Sequence, residues 1–108
     1  MDVIDWKSLY EISDGASGVY LLEWEDGVLK YGSATDIHAR TDELTQLRAE
    51  QVESRVETVF GTLARDPEAV EHVIDYIFED SVGGWIIDGT SIKTVLRQTE
   101  GKTVSDSS

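Results

Sequence analysis

The sequence predicts an α/β (α+β) domain, a three-stranded, mainly antiparallel sheet flanked by helices. Three observations carry this. An Asp26-Gly27 pair separates two β-branched and aromatic runs, a further β-rich run occupies 54–63, and Asp66-Pro67 opens a segment whose aliphatic residues recur at helical spacing. A chain of 108 residues supports one small core, because chains divide only at about 250–300 residues. The expected domain covers residues 1–98, with 99–108, polar and short of apolar side chains, as a flexible tail.

In chain order, residues 5–12 place Trp6, Leu9, Tyr10 and Ile12 on one side of a short helical turn, ended by Ser13-Asp14-Gly15 and expected to pack as a lid. The runs 18–24 and 28–32 read as antiparallel strands, with Gly27 supplying the positive φ of the hairpin turn. After Gly32 the period changes. Thr35 or Asp36 caps a helix whose Ile37, Leu44 and Leu47 share a face, with Arg40 near that side. Residues 54–63 form the third strand. Asp66 then caps the clearest helix: Pro67 sits where a missing N–H costs nothing, and Glu68 lies on the positive end of the dipole. Val70, Val73, Ile74 and Ile77 make its core-facing stripe. The segment 81–84 stops it, 85–87 reads as a short buried extended piece, and 91–97, with Ile92, Val95 and Leu96, as a last short helix.

Nine Lys and Arg against 22 Asp and Glu give a net charge of −13, the wrong sign for gripping phosphate non-specifically in ordinary salt. The acidity lies in the body of the chain rather than in a tail. It fits a halophilic protein, whose self-repulsion is screened over ~3 Å at ~1 M salt. In a low-salt cell it fits instead a DNA-repelling face or a DNA mimic that occupies a nucleic-acid-binding protein. The absence of cysteine excludes disulfides, thiolate metal sites and cysteine nucleophiles. No apolar run approaches the ~20 residues of a membrane span, and the first residues lack a basic leader, so the expected address is cytoplasmic with no membrane partner.

Gly18-Val19-Tyr20, nine residues, and then Lys30-Tyr31-Gly32-Ser33-Ala34-Thr35-Asp36-Ile37-His38-Ala39-Arg40 resembles the GIY-YIG nuclease superfamily over residues 17–80. The resemblance implies water attack on a phosphodiester, with one divalent metal held by a single glutamate, tyrosines around the nucleophile and an arginine on the transition-state charge. Tyr20 corresponds to the tyrosine of the first motif and Arg40 to the arginine, whose fork suits a phosphate better than Lys would. The leading tyrosine of the second motif falls on Lys30. Tyr31 follows one place later and so faces the other side of the sheet. Lys30 is read as a phosphate ligand or, if burial and Arg40 lower its pKa, as a base.

The family's metal glutamate aligns with Val73. Glu71 and Asp75 are the nearest substitutes, but each lies about 160–200° round the helix from Val73, off the core-facing stripe. The expected function is therefore a GIY-YIG-like domain with an impaired catalytic site that acts as a binding or inhibitory module, of the kind viruses and mobile elements carry. No cofactor and a protein partner are expected. Two alternatives stand beside it. One is an active DNA endonuclease using Mg²⁺ or Mn²⁺ with Tyr20, Lys30 or Tyr31, Arg40 and Glu71 or Asp75; the other is an acidic DNA mimic. His38 and His72 sit on different helices and read as surface residues, and Trp6, Trp24 and Trp85 as core or rim.

Overall fold

The computed structural model describes residues 2–104. Along the chain run β1 (Asp2–Val3), β2 (Lys7–Ser8), a 3₁₀ turn (Leu9–Glu11), β3 (Gly18–Trp24), β4 (Leu29–Ala34), α1 (Ile37–Val52), β5 (Val56–Leu63), α2 (Pro67–Ile77), β6 (Trp85–Ile86), α3 (Ile92–Thr99) and β7 (Thr103–Val104). The main sheet has five strands in the order β2-β5-β3-β4-β6, and β1 pairs with β7 in a separate ribbon. All pairings are antiparallel.

The expected mixed α+β class holds, as do the three expected strands, here β3, β4 and β5, but the sheet has five strands rather than three. The two extra strands are edge pieces of two residues each. Lys7–Ser8 pairs with Phe60 and Gly61 where a helical turn was expected, and the turn itself is displaced to Leu9–Glu11. A two-residue strand has no room to show an alternation, so its pairing is set by contact rather than by pattern.

Strand β3 is central and sends alternate side chains into two cores. Val19 and Leu21, with Leu29 and Tyr31 of β4, meet Val70 and Ile74 of α2 and Ile92 and Val95 of α3. Tyr20, Leu22 and Trp24 meet Ile37 and Leu44 of α1 and Ile12. Asp36 and Asp66 cap their helices as expected, each accepting the amide three residues on. Three apolar expectations fail. Tyr10, within the three-residue 3₁₀ turn, is 98% exposed, Leu47 43%, and Ile87, one residue past β6, 77%.

The stretch expected to be a loose tail is also corrected as far as the described residues go. Thr99 is fully buried as the last residue of α3, Gly101 donates to the Ile4 carbonyl at 2.8 Å, and Val104 pairs with Asp2. Residues 105–108 lie outside the described residues. Among the described residues, no helix is long and apolar enough to cross a membrane.

Candidate functional site

The α1-side face of the β3–β4 pair gathers the charged residues that the sequence singled out. Tyr20 stands opposite Gly32 and Lys30 opposite Leu22, so the two side chains are diagonal neighbours on one face. The Tyr20 ring lies directly over Gly32, where an added Cβ would stand 2.7 Å from Cζ of the ring. Glycine is required here by close approach, and the tyrosine is thereby held in place. Arg40, one turn into α1, pairs with Glu43 at 2.9 Å and stands close enough to act on the Tyr20 hydroxyl.

Glu71 completes the group from the other helix layer. It is half-buried on α2 and accepts the Ser33 amide at 2.9 Å. Being off the core-facing stripe does not remove it from the site, because the site lies at the sheet's edge. Strand β6 covers only Leu29 and Lys30, so the amide of Ser33 has no strand partner and the carboxylate takes that place. Val73, on the aligned register, packs into the core instead.

The turn that stops α2 also bounds Lys30 on one side. Val82 and Trp85 exchange backbone hydrogen bonds at 3.2 and 3.0 Å around Gly83 and Gly84. Both glycines have positive φ, as a type I′ hairpin turn demands. The Gly83 carbonyl accepts from Lys30 Nζ, the Gly84 carbonyl accepts the Tyr31 amide at 2.9 Å, and the Trp85 ring centroid lies 5.4 Å from Nζ. A Cβ on Gly84 would sit 2.9 Å from Nζ. Trp85 stacks on Trp24 at 5.6 Å, and Arg48 of α1 lies 4.8 Å from the Trp24 ring and holds Asp26 at 2.9 Å. The paired glycines and the following tryptophan were the available signal for this turn.

The environment moves these groups in opposite directions. Burial raises the pKa of Tyr20, with Glu71 and Glu43 adding to the rise and Arg40 opposing it. Burial lowers the pKa of Lys30, helped by Arg40 and opposed by Glu71 and Asp75.

Tyr31 and Asp75 form a separate arrangement. Tyr31 is fully buried on the α2 side, and its hydroxyl bonds to Asp75 and, at 2.6 Å, to Ser81. Burial first, and the Asp75 contact second, raise its pKa strongly. As a catalytic candidate Tyr31 is thus on the wrong face, the face that strand alternation gives it. His38 Nε2 bonds the Ile12 carbonyl at 2.6 Å, and His72 is exposed on α2. Among the described residues no three His, Cys, Asp or Glu come together as a metal cage.

A divalent cation that keeps most of its water needs less than a cage, and Mg²⁺ is commonly held by one or two carboxylates plus substrate phosphate. Glu71 fits that minimum. One oxygen is fixed by Ser33, and the other accepts no hydrogen bond from the described residues. No family model, curated protein or solved structure matches the chain.

Proposed function

We propose that the chain is a GIY-YIG-like domain that cleaves nucleic-acid phosphodiesters with one divalent cation, Mg²⁺ or Mn²⁺. The observation that carries this reading is the company Glu71 keeps. It shares one site with Tyr20, Lys30 and Arg40, each from a different element, and its field acts on both Tyr20 and Lys30. In this reading Glu71 holds the ion, which supplies charge neutralisation at the phosphate when bound. Arg40 binds a non-bridging phosphate oxygen, exchanging Glu43 for the substrate, and Tyr20, fixed over Gly32, presents its hydroxyl to the reacting group. The test is nicking of supercoiled plasmid with Mg²⁺ or Mn²⁺, beside Arg40→Ala and Glu71→Gln. Nicking that both substitutions abolish is the expected result; nicking that survives both refutes it.

A second reading keeps the scaffold and drops turnover: a binding or inhibitory module with an impaired site, directed at a protein partner. The net charge of −13 and the Glu43 carboxylate already paired with Arg40 favour it. Nucleic-acid binding without nicking, or capture of a basic protein that DNA displaces, selects this reading over the first.

A further inference from the structure

We propose that the groove between the end of α2 and β6 takes an arginine side chain from an exposed segment of a basic partner protein. This rests on the second reading above, that the chain binds a protein partner, and names the surface which that partner meets. The groove encloses about 310 Å³, and its walls include Tyr76 and Phe78 at the end of α2, Ile87 just past β6, and the carboxylates of Glu79, Asp80 and Asp88. That volume lies at the small end of ligand pockets, ~300–1,000 Å³, and suits one side chain.

The apolar part is the first argument. Tyr76 is 80% exposed and Ile87 77%, so two large apolar side chains of one groove stand in water. Adaptation to salt puts carboxylates on a solvated surface and gives no reason to leave these two uncovered among them. Exposed apolar side chains gathered inside a polar rim mark a contact surface.

The charge is the second argument, and it selects the occupant. Three carboxylates line the groove, and among the described residues no Lys or Arg does. Asp88 takes the Thr90 amide at 3.0 Å and the Thr90 hydroxyl on one oxygen, which leaves the other to a ligand. The negative end of the α2 dipole lies here too, since among the described residues no backbone amide meets the carbonyls of Asp75, Tyr76 and Ile77. An apolar floor within a ring of negative charge matches a guanidinium on an aliphatic stem. The stem packs on Ile87 and Phe78 while the planar head reaches the carboxylates and the Tyr76 ring. The same charges exclude other occupants. Nucleic acid and anionic lipid carry the wrong sign, and a second copy would bring the same three carboxylates against these. The groove is also separate from the Glu71 site, because Tyr76 lies five residues beyond Glu71 on α2, about 140° round the helix.

The experiment follows the fluorescence anisotropy of a fluorescein-labelled peptide, two arginines set between leucines, titrated with the full chain at ~0.1 M and ~1 M salt. Binding is expected to weaken at the higher salt and to persist, because the apolar contact is not screened. Ile87→Ser, Tyr76→Ala and the pair Asp80→Asn with Asp88→Asn should each weaken it ~10-fold or more. The pair Glu50→Gln with Glu57→Gln removes the same charge from exposed positions elsewhere and should leave affinity unchanged. Citrulline in place of arginine should abolish binding, and circular dichroism checks that every variant is folded. Equal affinity for wild type and the groove variants puts the peptide elsewhere and refutes the groove while the partner reading stands. An equal loss in the Glu50 and Glu57 pair reduces the contact to net charge and also refutes it. So does a peptide that does not bind, and capture of an intact basic protein that DNA displaces then decides the partner reading by itself. A dimer in sedimentation that Ile87→Ser breaks would seat a second copy in the groove and overturn the basic occupant.

Discussion

Glu71 on α2 accepts the Ser33 amide at 2.9 Å, closing the part of the β4 edge that no strand covers. An unpaired edge amide requires an acceptor, and in the proposed phosphodiester-cleaving reading the same side chain supplies the anionic oxygen. Glu71→Gln keeps a carbonyl for Ser33 and removes the charge. It should leave stability within about 0.5 kcal/mol of wild type while nicking falls ~100-fold or more, as metal-ion stabilisation of several kcal/mol implies. Glu71→Ala should also cost about 1 kcal/mol, because the amide loses its partner. Urea unfolding beside the nicking assay separates the two effects.

Gly32 exists for Tyr20. A methyl group there would stand 2.7 Å from Cζ of the ring, so Gly32→Ala should destabilise by about 1–3 kcal/mol through forced displacement. Tyr20→Ala in the same chain removes the obstacle. The double substitution should then be less destabilised than the sum of the two single ones, a coupling that thermal unfolding of all four proteins measures. Strict additivity would contradict the contact.

The residues that the sequence made legible are those whose roles are local. Asp26-Gly27 announces the β3–β4 turn, and Asp66-Pro67 the start of α2, because turn and cap chemistry act within a few residues. Strand alternation alone separates Tyr31 from Lys30. Glu71 was harder to place, because helical periodicity tells only which side faces the core, and this carboxylate works beside the core at a sheet edge. The ribbon of β1 and β7 joins the two ends of the described chain through two-residue strands, and no local pattern encodes such a pairing. The glycines of the turn beside Lys30 mark locally only a helix stop, because the lysine they meet lies some fifty residues earlier.

Alkaline pH should weaken the fold. Tyr31 and Tyr20 both have folded pKa values above the usual tyrosine value of 10.0. Below that pH both states hold the protons and nothing changes. Above it the unfolded chain gives them up first, so stability falls as pH rises, by up to about 1.4 kcal/mol per pH unit for each tyrosine. Lys30 works the other way. Its folded pKa lies below 10.5, so between the two values stability rises with pH. Urea unfolding from pH 9 to 11 should show a net decline, and Tyr31→Phe should flatten it, whereas an unchanged slope would contradict the burial of that hydroxyl.

Asp2 should govern the acid side. Its buried carboxylate accepts the amides of Arg65 and Asp66, both at 3.1 Å, and joins β1 to the start of α2. The Arg65 amide, the largest influence, lowers its pKa below 3.8 against the opposing effect of burial. The resulting stability is present above 3.8 and is lost as pH falls through the folded value. Asp2→Ala should cost about 1–3 kcal/mol near neutral pH. The substitution should also make the fold less sensitive to acid, so the gap between the two proteins narrows on acidification; a constant gap would show that the carboxylate's charge is not involved.

The last turn of α3 and the strand after it belong to the fold, and shortening the chain tests this. Trp6 Nε1 donates to Thr99 Oγ1 at 2.7 Å, Ile4 donates to the Lys102 carbonyl at 2.9 Å, and Val104 is buried against the α2–α3 core. A chain ending at residue 98 leaves the Trp6 indole and the Ile4 backbone without partners and opens the space that Val104 fills. Burial of a single valine is worth about 1.5–3 kcal/mol, and each net hydrogen bond adds about 0.5–1.5. The truncated chain should therefore lose more than about 3 kcal/mol in urea unfolding, with increased fluorescence change at Trp6. Full stability after truncation would mean that this segment is only laid against the domain. In that event the β1–β7 ribbon would also have no share in holding Asp2 at the start of α2, and Asp2→Ala should then cost the same in the short chain as in the long one.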